Sequence, residues 1–528
     1  MSNRFTNINY KEFYSGEFLL KMTFLFFLII VPNIFFYIFL HEKRITTVLI
    51  NNLFLISLAI LLLKQSYLKI IGYLLLFVFV LNNGVEIFSI SYYKSTFNVG
   101  MAMSFLSSNA REGFEMASGY WLAIVLLLIY FVLICLSANS VKKYFPAKSL
   151  IVFTIIFAIF PAYLVGVEIS KNRSNKLYKE TGESDLYYYV NQTPLNSFGP
   201  LLEANHYLEI VKKSSEEDYK YPPFALDSSN KIQNIVVVLG ESARRDALSL
   251  YGNPNKTSPL IDKRISNLLV YNNAVSPGEF TNLAICLLLS KQNPGPDFSI
   301  GKNNDNIIAL ANATKLWQTY WVSNQEQTGL YVNLFANIDL KAKHKYWTTP
   351  GSYDEALFPF IDKILKDKSK KRLIFIHLMG SHAEPKMRYP KSFDIFHNDK
   401  EEFKNEYNNS IVYTDFVLDN IIKKMEGTSS VVLYLSDHGQ SIEDGAYRHS
   451  LTKKGFDVPF FIWYSDLVAN ENKKVGNNNE YISTSNLYNI LENFMGIKGL
   501  VPKKPNDSLK LMDGSMKPML YKDLEPGL

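Results

Sequence analysis

Apolar residues are spread unevenly along this chain, and the unevenness divides it. Five long apolar stretches, at residues 18–40, 46–63, 70–90, 120–138 and 150–167, crowd the first third. Each approaches the ~20 residues with which a helix crosses a bilayer, the second and fifth being the least generous. The first is long and is followed by no small-residue cleavage site, so it reads as an uncleaved span and not as a signal peptide. The pattern predicts a five-helix transmembrane domain over residues 1–168.

From residue 231 the pattern changes to short, fully apolar runs separated by stretches of helical periodicity: NIVVVLG (234–240), RLIFIHLMG (372–380), VVLYLSDHG (431–439) and VPFFIWY (458–464). Runs without polar alternation suit strands covered on both faces, which implies a sheet between helices, an α/β domain over residues 231–528. The polar segment 169–230 bridges the two. Within it, Leu201, Leu202, Tyr207, Leu208 and Ile210 share much of one helical face. They suit a helix at the membrane surface or a linker helix packed on the domain.

Charge sets the orientation. Arg4, Lys11, Lys21, Lys64, Lys69, Lys142, Lys143 and Lys148 flank the spans on one side, and Lys43, Arg44, Lys94 and Arg111 on the other. The basic excess places the N-terminus inside, and an odd number of spans then places the α/β domain outside, in a bacterium the periplasm. The formal charge of +6 over 528 residues, with no basic block, argues against a nucleic-acid partner. Cys135 lies in the fourth span and Cys286 in the α/β domain, so the two cysteines are not expected to pair.

Ligands of open α/β sheets gather beyond the carboxyl ends of the strands. Three of the runs end in metal-binding side chains: Glu241 after NIVVVLG, His382 in HLMGSH, and Asp437 with His438 after VVLYLS. A carboxylate from one strand with Asp and His from another suits zinc. Singly, each has a plainer reading: Glu241 as a cap or turn residue, SDHG as a capped turn, and His377 as a satisfied core histidine. His41, His206, His344 and His397 lie outside these motifs and receive no catalytic role.

Taken together, NIVVVLGESARRDALSLYG (234–252), EYNNSIVYTDFVLDNII (406–422) and LYLSDHGQS (433–441), in this order behind five spans, resemble the membrane-anchored phosphoethanolamine transferases of Gram-negative envelopes. These enzymes stand within the alkaline phosphatase and sulfatase superfamily. The resemblance implies an alkaline phosphatase-like sandwich with a mostly parallel central sheet between helices. It implies zinc held by Glu241, Asp437 and His438, with Thr281 of SPGEFTNLAICLLLS (276–290) as both ligand and nucleophile. The chemistry of Thr281 agrees: a cation favours its alkoxide, and a helix N-terminus favours an anionic group. The plainer alternative is that Thr281 only caps this helix.

The resemblance also implies that His382 and His449 contact the phosphoryl group, one of them protonating the departing alkoxide. It points to a donor-recognising glutamate between spans three and four, Glu112, with Glu115 as its alternative. Two departures stand out. Lipid A-modifying members carry several disulfides that this chain cannot form, and a donor-site lysine near WVSNQ (321–325) has Val322 as its counterpart here. These favour the branch that decorates lipopolysaccharide core sugars. No C/S-x-P-x-R sulfatase signature occurs around Cys286.

The expected activity is transfer of phosphoethanolamine from phosphatidylethanolamine to a lipopolysaccharide core sugar, lipid A or another envelope glycan, at the bacterial inner membrane. The competing expectations are a phosphoglycerol transferase using phosphatidylglycerol, and a catalytically silent membrane binding module.

Overall fold

The structure, a computed structural model, describes residues 15–40, 45–93, 95–107, 120–174, 186–325, 333–382, 384–397, 401–443, 446–468 and 475–527. It forms two compact units, residues 1–102 with 110–204, and residues 103–109 with 205–528.

The first unit contains the helices α1 (Gly16–Leu40), α2 (Ile45–Leu63), α3 (Lys69–Tyr93), α5 (Trp121–Val141) and α6 (Ala147–Ser174); α4 (Val99–Ser107) follows α3. Five of these are long and apolar enough to cross a membrane. Their polarity is inverted relative to a water-soluble bundle. Leu19, Leu122, Leu126 and Ile155 are exposed, while Asn52 and Asn83 are buried and exchange side-chain hydrogen bonds of 3.1 and 3.0 Å. That arrangement suits lipid outside and polar contacts between helices inside. Helix α7 (Gly199–Ser215) covers most of the segment expected to be helical within 169–230.

The second unit is built on an eight-stranded sheet. Its strands are β1 (Asn234–Gly240), β2 (Leu268–Val275), β3 (Gln318–Ser323), β4 (His344–Trp347), β5 (Arg372–His377), β6 (Ser430–Ser436), β7 (Phe460–Tyr464) and β8 (Gly476–Ser483). Their spatial order is β8-β2-β7-β6-β1-β5-β3-β4, and every pairing is parallel except those of β7 with β6 and β2. Every residue of β1, β6 and β7 is buried, which is why these segments carry Val, Ile, Leu and Phe without alternation. This is the mostly parallel sandwich that the sequence leads one to expect.

Helices α8 (Thr281–Leu289) and α9 (Glu402–Met425) matter most for the site. The YTD-x-V-L-D segment lies on α9 and holds a neighbouring loop. Asp415 accepts the backbone N–H groups of Leu260 and Ile261, both at 2.9 Å, and Asp419 pairs with Arg264 at 2.7 Å. Leaving a buried N–H unsatisfied costs about 1–3 kcal/mol. Asp415→Ala is therefore expected to destabilise the protein by about 2–4 kcal/mol in chemical denaturation, and Asp415→Asn by less, since its carbonyl still accepts one of the two.

Candidate active site

Strand register places the two carboxylates. Gly240 at the end of β1 pairs with Ser436 at the end of β6, so the next residues, Glu241 and Asp437, leave adjacent strands side by side. The Asp437 N–H donates to Gly240 O at 3.1 Å, which continues the ladder one step beyond the strands. The turn after Glu241 is tight. Ser242 adopts φ +58°, a left-handed conformation unfavourable for a residue with a side chain. Its N–H donates to Asp437 Oδ1 (3.1 Å) and its hydroxyl to Glu241 Oε1 (2.7 Å), which holds the conformation in place. Ser436 Oγ accepts the Ala243 N–H (2.8 Å) and donates to His438 O (3.0 Å).

The loop after β5 closes against this turn. Gly380 has φ +54°, and a Cβ there would lie 2.9 Å from the Glu241 N and O atoms, so only glycine permits the approach. The next residue, Ser381, donates its N–H to Glu241 O at 2.9 Å. His382 follows directly, with a buried Nδ1 that makes no hydrogen bond.

Glu241, Asp437 and His438 are wholly or almost wholly buried, with donor atoms within 4.8 Å of one another. His438 Nδ1 is 2.8 Å from Gly439 O, an acceptor only, so this nitrogen carries the proton. Its Nε2 then points at Glu241 Oε1 and Asp437 Oδ2, each 3.3 Å away. A lone pair facing two carboxylate oxygens is stable only with a cation, a proton or a metal, among them. Asp437 Oδ2 is buried and makes no hydrogen bond, a state that coordination would relieve. The three side chains therefore fit a divalent metal ion.

Thr281 is the first residue of α8, and its hydroxyl completes the group. Oγ1 donates to Glu241 Oε2 at 3.0 Å and lies 3.2 Å from His438 Nε2. His449 lies against His438, with ring centroids 4.6 Å apart and the rings tilted, and donates from Nδ1 to Glu279 O at 3.1 Å. Thus Glu241, Thr281, Asp437 and His438 form one cluster, His449 lies against the His438 ring, and His382 stands on the loop bonded to Glu241. Glu112 lies outside the described residues.

Two readings of single residues are corrected. Val322 is fully buried in the hydrophobic core and does not reach the pocket. Three residues later Gln325 does, donating from Nε2 to Glu241 Oε2 (2.9 Å) and to Leu378 O (3.0 Å). It is a polar residue just past a strand's carboxyl end, the same signal that marked Glu241 and Asp437. His377 is a core histidine, edge-on to the rings of Trp321 and Phe335, but it is not satisfied: its Nε2 has no hydrogen bond. Burial pushes its pKa down to about 4, so it stays neutral.

Burial and the adjacent Glu241 charge push the Asp437 carboxyl upward. Burial opposes protonation of His438, but the Asp437 and Glu241 carboxylates outweigh it and raise the imidazole to about 9. His449 moves the other way, to about 3, through burial and the positive charge of His438.

The geometry defines a chain of the alkaline phosphatase class, with a hydroxyl at a helix N-terminus beside a carboxylate and imidazole metal site on a mostly parallel sheet. Residues 233–497 match the sulfatase family, and residues 8–209 match the transferase YhbX N-terminal domain. YhbX of Escherichia coli K12 is 26% identical over 431 residues, 78% of this chain and 76% of that protein. The phosphoethanolamine transferase EptC of Escherichia coli O18:K1:H7 is 25% identical over 416 residues, 71% of this chain and 70% of its own.

Among solved structures, the lipooligosaccharide phosphoethanolamine transferase A (EptA) of Neisseria meningitidis, an integral membrane protein, superposes with a TM-score of 0.65. The match covers 91% of this chain and 96% of that one at 18% identity. The periplasmic domain of Escherichia coli EptC, in complex with zinc, superposes with a TM-score of 0.51 at 22% identity, covering 58% of this chain and 98% of that one. The chain belongs to the sulfatase family, and its relatives and its structural neighbours include membrane phosphoethanolamine transferases.

Metal binding requires the His438 Nε2 lone pair and the Asp437 carboxylate, so protons compete with the ion. Affinity for zinc is expected to rise with pH and to level off above about 9, where His438 loses its proton in the metal-free chain. Below that pH, each proton displaced per ion contributes about tenfold per pH unit. Competition with a chromogenic chelator between pH 6 and pH 9 measures this, and a flat profile would contradict the assignment.

Proposed function

We propose that the protein transfers phosphoethanolamine from phosphatidylethanolamine to a hydroxyl or phosphate of lipopolysaccharide or another envelope glycan, through a covalent intermediate on Thr281. The observation that carries this reading is the Thr281 hydroxyl, 3.0 Å from Glu241 and 3.2 Å from His438 at the first turn of α8. No other hydroxyl among the described residues combines a helix N-terminus with the candidate metal ligands.

Glu241, Asp437 and His438, with Thr281 as fourth ligand, would hold zinc. When bound, the ion favours ionisation of the threonine hydroxyl and offsets charge on the phosphoryl oxygens. In the first half-reaction Thr281 Oγ1 attacks phosphorus, the bond from phosphorus to the glycerol oxygen breaks, and diacylglycerol leaves with a proton. His382, with an unpartnered buried Nδ1, binds a phosphoryl oxygen and supplies that proton. In the second, the acceptor oxygen attacks, Thr281 is released, and the acceptor proton must be taken up. His449 is placed for this role: with Nδ1 committed to Glu279 O, its Nε2 is an acceptor.

In this reading residues 1–168 are an inner-membrane anchor with a cytoplasmic N-terminus, 169–230 a bridging segment and 231–528 a periplasmic catalytic domain. Confinement beside a lipid donor raises its effective concentration. The two cysteines, Cys135 and Cys286, are both free, which favours the core-sugar branch over the disulfide-rich lipid A branch.

Incubation with phosphatidylethanolamine, digestion and mass spectrometry are expected to show phosphoethanolamine on the peptide containing Thr281. Thr281→Ala abolishes the adduct, and Thr281→Ser retains part of it. A phosphoglycerol adduct formed in preference from phosphatidylglycerol would replace the donor. A folded, zinc-loaded protein that forms neither adduct, with Thr281→Ala retaining the cellular role, would establish a binding module instead.

A further inference from the structure

A cleft of about 400 Å³ opens between the loop after β5 and the first turns of α9, with no part in the chemistry described above. Lys386, Tyr389, Asp394, Phe396, Glu402 and Glu406 line it, with His397 and two asparagines between them. Two connections tie it to the catalytic residues. Tyr389 and Lys386 stand on the loop that begins with His382. Tyr447, two residues before His449, donates its hydroxyl to Glu406 Oε2 at 2.9 Å. Tyr407, next to Glu406 on helix α9, donates to Ser242 O (2.6 Å) and accepts the Arg244 N–H (2.8 Å), which clamps the turn next to Glu241.

The chemistry of the lining selects among ligands. Three carboxylates face one ammonium, so a phosphate or another anion is repelled. Only two rings are apolar enough for hydrocarbon, too few for an acyl chain. What remains is a fixed array of hydrogen-bonding groups beside aromatic faces. Asn409 Oδ1 accepts the N–H groups of Ile395 (3.0 Å) and Phe396 (2.8 Å), and its amide donates to Asp394 Oδ1 (3.0 Å). Glu406 is held by Lys386 at 3.1 Å as well as by Tyr447. The floor is thus preorganised, while Glu402 and His397 at the rim are largely exposed, with side chains 66% and 67% accessible. Carboxylates held in place for hydroxyl groups, with ring faces for C–H groups, suit a polyhydroxylated ring.

We propose that this cleft is the acceptor subsite and that it takes an uncharged sugar unit, so that the group receiving phosphoethanolamine is a sugar hydroxyl and not a phosphate. The proposal rests on the transferase reading above, and the test keeps the two apart. Full-length protein in phosphatidylethanolamine nanodiscs is given a dephosphorylated lipopolysaccharide core oligosaccharide, or the same oligosaccharide with its phosphates. The Thr281 adduct and the transferred product are followed separately.

The dephosphorylated oligosaccharide is expected to be accepted at least as well as the phosphorylated one. Glu402→Lys and Phe396→Ala each raise its KM by about tenfold, the loss of one charge-assisted contact or one ring face, while adduct yield and kcat stay unchanged. An unchanged KM in both variants, or a preference for the phosphorylated acceptor, overturns the proposal. If the adduct forms but neither oligosaccharide is a substrate, absence of saturation-transfer NMR signals from the dephosphorylated oligosaccharide overturns it too. Failure to form the adduct falls on the donor reading alone, and the same NMR titration, with Glu402→Lys as control, then decides the cleft.

Discussion

Two carboxylates buried side by side at the ends of adjacent parallel strands are the constraint around which the catalytic unit is organised. Glu241 and Asp437 follow a strand pair in register, Gly240 with Ser436, so their proximity is inherited from the sheet and not from flexible side chains. Two such charges repel strongly where water cannot screen them. Around them the chain supplies donors: the Ser242 hydroxyl and N–H, the His438 N–H, the Gln325 amide and the Thr281 hydroxyl. None of these donors reaches Asp437 Oδ2. A cation is the remaining requirement, and His438 carries a proton in the metal-free chain for that reason. Burial, and after it the positive charge of His438, keeps His449 neutral.

The parts of the fold legible in the sequence share a physical cause. The four apolar runs correspond to β7, β6, β1 and β5, which are contiguous at the centre of the sheet. Central strands are covered on both faces, so their composition alone reveals them. The flanking strands β2, β3, β4 and β8 include half-exposed positions and residues such as Asn272, Asn273 and Asn477 to Asn479, a mixture that a loop would equally carry. The reversed direction of β7 leaves no trace, because a buried apolar strand has the same composition in either direction. In the membrane unit the opposite holds: length and continuous apolarity suffice, and the helices extend a few residues beyond the apolar stretches at several ends.

The site was legible where side-chain type and strand end coincide, as at Glu241, Asp437 and His438. Gln325 has the position but a less telling side chain. Val322, read as the counterpart of a donor-site lysine, lies in the hydrophobic core. The cleft was not legible. Its lining comes from a loop after β5 and the first turns of α9, which only the folded chain brings together.

What fixes Thr281 without disulfides can also be read from the structure. Every residue of α8 after Thr281 is buried, so the helix cannot shift without disturbing the core. Its start is held by Asn282 Oδ1, which accepts the Leu334 N–H at 3.0 Å. Its other end is capped from far along the chain: Lys503 is buried and donates its ammonium to Leu287 O (2.7 Å) and Ser290 O (3.0 Å). Burial drives the Lys503 pKa well down, a cost partly offset by two carbonyls at the negative end of a helix dipole. A buried lysine in that place makes sense only if the helix position matters more than the desolvation it requires. With Thr281 on the first turn of α8, the interactions along the helix set where the hydroxyl meets Glu241 and His438.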